Sequence, residues 1–155
     1  MSKRHLLGAA ALASAVAASG AFAAGDPVAA VKADLAKLQS DVASARATIV
    51  PDAQKLAADA AAAKGSTRAQ ARAAIKPDLV QLRNAVQAAR TAIRADRAQL
   101  KTDLAAAKGV NGARKQLRPV VKSTRTAVKA DRTAIRAAVK QARQAVKDLR
   151  ASLKK

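Results

Sequence analysis

The 155-residue chain has no glutamate, cysteine, tryptophan or tyrosine, and its only phenylalanine and histidine are Phe22 and His5. Each absence closes off some chemistry. Without cysteine there is no disulfide, no thiolate metal site and no acylated lipoprotein anchor. With aspartate as the only acid and no histidine beyond residue 5, general acid–base catalysis lacks its usual carriers. Metal binding lacks imidazole and thiolate ligands, and no loop is dense in acids. Neither Gly65 nor Gly109-Val110-Asn111-Gly112 reads as a phosphate-cradling loop. Asp96 and Asp103 lie seven apart on one helix face and could orient two carboxylates. The simpler expectation is that Arg94, Arg97 or Lys101 neutralises them. The sequence therefore predicts no enzyme activity, cofactor, metal or small-molecule substrate.

Large apolar side chains are also scarce. Alanine accounts for 46 residues, and from Ala24 onward only 26 are Val, Leu or Ile. A chain built this way buries little area per residue. It suits long helices meeting along thin seams better than a globule.

The first residues follow an export pattern. Lys3, Arg4 and His5 precede an apolar stretch from Leu6 to about Ala18, and Ala21-Phe22-Ala23 is a small-x-small site. This predicts a signal peptide over 1–23, cut after Ala23, and a secreted, periplasmic or cell-envelope location. Residues 24–155 then form a single Ala-rich helical domain with formal charge +18, from 28 basic and ten acidic side chains.

Along that domain the apolar residues recur three and four apart, the signature of an amphipathic helix. Asp26-Pro27 suits a helix start. Val28, Val31, Leu35, Leu38, Val42, Ala45 and Ile49 then form an unbroken heptad series. Pro51 is expected to kink or restart the helix, and Gly65 to end it. Ser66 or Thr67 can cap a second segment with seam residues Leu79, Leu82, Val86, Ala89, Ile93, Leu100 and Leu104. Asp96 interrupts that seam, predicting looser contact or a shifted register. Gly109 and Gly112 bracket a second turn, and a third helix passes Pro119. Its seam is Val121, Val128, Ile135, Val139, Ala142, Val146, Leu149 and Leu153. The fold class expected is all-α, an elongated antiparallel helical hairpin or three-arm, coiled-coil-like bundle with Pro kinks. The arms cover about 26–64, 66–108 and 113–153. Thin seams also leave room for a homo-oligomer. Residues 83–99 match 125–141 at an offset of 42, and 32–45 match 94–107 at an offset of 62, which suggests duplication of a helical unit.

The charge pattern carries the functional reading. Residues 24–64 hold five basic and five acidic side chains, whereas 65–155 hold 23 basic and five acidic. In the last arm Arg118, Lys122, Arg125, Lys129, Arg132, Arg136, Lys140, Arg143, Lys147, Arg150 and Lys154 advance by a mean of 3.6 residues, the period of an α-helix. They make one straight row beside the apolar seam. Like charges at this spacing cost a helix about 0.2–0.5 kcal/mol per pair, yet the neutral first arm shows that this composition can balance its charge.

The function expected is non-enzymatic binding of anionic polymers or surfaces, with low sequence specificity and steep salt dependence. Partners of the right chemistry are an anionic envelope polymer, an anionic lipid surface or a nucleic-acid backbone. With no aromatic residue after Phe22, nucleic acid would be held by its phosphates alone. In composition the Ala/Lys/Arg body resembles basic, Ala-rich nucleoid-compacting proteins, which implies histone-like, non-specific DNA binding; the export pattern argues against that role. An envelope chaperone or a purely structural coiled coil is the other alternative. In size, charge and helicity the chain is similar to the small helical periplasmic chaperones marked by an LTxxQ motif, and it lacks the motif.

Overall fold

The computed structural model describes residues 26–154; the expected signal peptide lies outside them. The chain forms three long helices: α1 over Pro27–Ala62, α2 over Arg68–Ala107 and α3 over Ala113–Ser152. The ends follow local chemistry. Asp26 caps α1 by accepting from the Val28 N–H at 2.9 Å. Gly65 closes the first turn with φ 91°, a backbone region costly for any side chain with a Cβ. Thr67 caps α2 through a reciprocal capping box with Gln70. That arrangement satisfies two N–H groups the helix cannot. Gly112, with φ 78°, precedes α3.

None of the three internal prolines restarts a helix: α1, α2 and α3 run unbroken through Pro51, Pro77 and Pro119. Each proline removes one ladder bond and frees the carbonyl four residues earlier. The prolines are exposed, and so are Ala47, Ala73 and Lys115 at those earlier positions. Water can therefore satisfy the freed carbonyls.

Paired side chains fix the helix directions. Along α1, Lys37 meets Asp96, Asp52 meets Gln81 and Lys55 meets Asp78 of α2, so α2 runs antiparallel. Val28, Val31 and Leu35 pack with Ala113 and Leu117, Val42 with Val128, and Leu56 lies in one cluster with Ala142 and Leu149. So α3 runs parallel to α1. Helix α1 is the shared partner: α2 and α3 both lie along it, and their own backbones hardly approach each other. The heptad series of α1 is buried throughout, from Val28 to Ile49 and on through Ala53, Leu56 and Ala60. Many core positions are alanine, which lets backbones come close but contributes little burial each.

The seams of α2 and α3 differ from expectation in three places. Leu79 is 37% exposed, Leu104 36% and Val121 38%. The buried neighbours are Asp78 and Ala107 in α2, and Leu117 and Thr124 in α3. Near Pro119 the face turned to α1 is the one through Leu117, Val120 and Thr124. Val121 lies about 100° round from Val120 and points outward. Asp96 is itself part of the contact. It stays in the seam at 4% exposure, where Lys37 of α1 reaches it.

Candidate functional site

The eleven basic residues expected to form one row do so on α3 and the turn after it. All are exposed except Arg132, which is half-buried. Each except Lys122 directly follows a buried or half-buried residue: Arg118 follows Leu117, Arg125 follows Thr124, and Arg132 follows Asp131. The row therefore stands about 100° from the core direction, far enough out for solvent and close enough to border a neighbouring helix.

A second row escaped the sequence reading. On α2, Arg72, Lys76 and Arg83 in the first half follow Ala71, Ile75 and Leu82. Arg90, Arg94, Arg97, Lys101 and Lys108 follow Ala89, Ile93, Asp96, Leu100 and Ala107. All eight basic residues are exposed, and all eight preceding residues are buried or half-buried. The signal was present in the sequence, a basic residue one step after each seam position. It becomes clear only once the seam runs through Asp78 and Asp96 rather than Leu79.

Helix direction decides where the two rows point. One residue forward turns a side chain about 100° about its own helix axis. Because α2 and α3 are antiparallel, those turns are opposite in space and bring the rows to a common side. The acid contacts show which side. On α1, residues one step before the seam face α2: Lys37 bonds Asp96, Asp52 accepts from Gln81 at 2.8 Å, and Lys55 bonds Asp78. Residues one step after the α1 seam face α3, where Arg46 donates to Asp131 at 3.0 Å. With that hand, both basic rows border the α2–α3 groove, away from α1. Arg132 lies within electrostatic reach of the α2 row: burial first, then Arg97 of α2 and Arg136, push its pKa down.

The opposite edge of α2 is acidic. Asp34, Asp41, Asp52 and Asp59 of α1 face Asp78, Asp96 and Asp103 of α2, with Lys37 and Lys55 as the basic residues between them. Lys37 binds both Asp41, at 3.1 Å, and Asp96. Lys55 binds Asp59, at 2.8 Å, and Asp78. Each lysine thus bridges two helices, and its pKa is raised. Lys55 holds the Asp59 carboxyl below the usual range, with Asp78 contributing. Burial pushes Asp96 up despite Lys37. Asp34 is pushed up to about 6 by burial and by Asp103 beside it. The Oδ2 atoms of Asp34, Asp52, Asp78 and Asp96 are buried without a hydrogen-bond partner. The sequence placed the neutralising charges for Asp96 on its own helix at Arg94, Arg97 or Lys101. The structure supplies Lys37 from α1, while Asp103 takes Gln99 at 3.1 Å and adjoins Asp34. Local arginines stay on the groove side because one residue forward already turns away from α1.

Beside Pro77, a shallow groove of ≈ 730 Å³ opens between α1 and α2, lined by residues including Thr48, Asp52, Lys76, Val80 and Gln81. Among the described residues no three acidic, His or Cys side chains group as metal ligands. No helix among them is long and apolar enough to cross a membrane. No known family model matches the chain, nor does any curated protein or solved structure.

Proposed function

We propose that this is an exported, non-enzymatic protein that binds anionic polymers or surfaces through the basic face of its C-terminal helices, with little sequence specificity. The observation that carries this reading is charge segregation. Ten of the eleven row residues of α3 and the turn after it are exposed, while the interhelical acid contacts lie along α1. A helix face that needed only solubility could interleave both signs. Here the repulsion is left in place, and a polyanion would relieve it. The residues act as point charges, and the arginines also as two-pronged phosphate donors. The export pattern of residues 1–23 favours envelope polymers, anionic head groups or extracellular DNA as the source of that charge.

The test is binding of the protein to duplex DNA, an anionic wall polymer and anionic vesicles at about 0.15 M salt, where screening reaches roughly 8 Å. Retained affinity for one of them supports the reading and names its class. Loss of all three would make the row a solvated face.

A further inference from the structure

The α2 row and the α3 row border one groove, and that pairing narrows what can lie there. We propose that the α2–α3 groove takes a single chain of phosphate groups, laid lengthwise between the rows, rather than a duplex or a lipid surface. The inference rests on the polyanion reading above and adds the second row and the form of the ligand.

Charge density supports it first. Each row spans 37 residues, Arg72 to Lys108 and Arg118 to Lys154, or 36 steps and about 54 Å of helix. Together they offer roughly one positive charge per 3 Å of axis on that geometry. One nucleic-acid strand carries a charge about every 3.4 Å, and a duplex one about every 1.7 Å. The groove therefore matches one strand's charge and about half of a duplex's.

Shape supports it second. Each lip helix packs about 8–10 Å from α1, while the α2 and α3 backbones hardly approach each other, which leaves an open channel between them. The lips carry long, flexible cations, and half-buried Val86, Ile93, Ile135 and Val139 lie beneath them. Arg132 of the α3 lip is half-buried, with Arg97 of the α2 lip within electrostatic reach. A duplex is too wide to enter and would rest on the lips. A lipid surface would need a series of apolar anchors between the cations, and among the α3 cations Val121 is the exposed large one.

The chemistry shared by the candidate ligands is a flexible chain of phosphates, whether phosphodiester or phosphoanhydride. The full chain is titrated with single-stranded oligonucleotide and with inorganic polyphosphate, against duplex DNA and anionic vesicles of equal charge concentration. Two matched variants are compared. One replaces Arg90, Arg94, Arg97 and Lys101 of α2 with Gln; the other replaces Lys129, Arg132, Arg136 and Lys140 of α3. Circular dichroism confirms that both remain helical.

The groove predicts that single chains bind more tightly than duplex or vesicles, and that both variants lose affinity alike, on the order of tenfold or more. The two probes separate a nucleic-acid source from a polyphosphate one. If only the α3 variant loses affinity, the single row binds and the groove is overturned. Tighter binding of duplex or vesicles overturns the single-chain ligand while sparing the polyanion reading. No binding to any probe overturns both.

Discussion

Arg97 of α2 and Arg132 of α3, 35 positions apart in sequence, carry like charges within electrostatic reach of each other across the α2–α3 groove. Burial, Arg97 and Arg136 all lower the Arg132 pKa. A folded protein that holds like charges within that reach keeps a repulsion that a bound anion would offset. The acid edge between α1 and α2 shows that the same fold pairs charges where pairing serves the contact.

Removing that repulsion should stabilise the protein without ligand. Arg132→Gln is expected to raise the melting temperature at about 0.01 M salt and to change it little at about 1 M, where screening reaches only about 3 Å. Thermal denaturation at the two salts reads this directly. A variant that melts lower at low salt would show that Arg132 contributes more by its contacts than it costs by its charge.

Lys37 should matter more than its exposure suggests. It is 62% exposed, yet it is the hydrogen-bond donor to Asp96, whose side chain is 2% exposed. Lys37→Met leaves a buried carboxylate without that donor, at a cost of about 1–3 kcal/mol. Adding Asp96→Leu removes the orphan and should recover most of the loss. Urea denaturation of the three variants tests it, and a double variant no more stable than Lys37→Met would refute the pairing.

Asp34 makes stability depend on pH. In the folded protein it titrates at about 6, against an ordinary value of 3.8. Between those values the folded chain keeps a proton that the unfolded chain has released. Its contribution therefore falls as pH rises through that window and stays low above it. Asp34→Asn cannot ionise. It is expected to shrink the pH 4–6 slope of stability and to raise the melting temperature at pH 7.5. An unchanged slope would place the proton elsewhere.

The core is thin enough for one leucine to count. Leu56 is 1% exposed and, with Leu149, one of the two largest fully buried side chains among the described residues, sharing a cluster with Ala142 and Leu149. Leu56→Ala should cost about 2–5 kcal/mol, measured by chemical denaturation. A cost below about 1 kcal/mol would mean the alanine-rich neighbours close over the gap.

Much of this was readable from residue order. The α1 heptads run from Val28 to Ile49 without a polar interruption, and every one is buried. Asp26-Pro27, Thr67 and the glycines at 65 and 112 state the helix ends in local chemistry that needs no tertiary information. The α2 seam was harder, because two of its members are aspartates. Asp78 and Asp96 look like surface residues until Lys55 and Lys37 arrive from another helix. A seam through Leu79, with Asp96 as a gap in it, leaves the α2 row without a continuous reference line. That the two rows share a groove depends on helix direction and hand, which no single helix records.

The most direct test of the account is the salt dependence of single-stranded oligonucleotide binding, measured for the protein and for the four-residue α3 variant. Log affinity against log salt should be linear, and its negative slope should shrink by about 0.7 for each phosphate contact removed. Four replacements in contact would lower it by roughly 2–3 on that scale. An unchanged slope and affinity in the variant would contradict the claim that the basic rows are the binding surface.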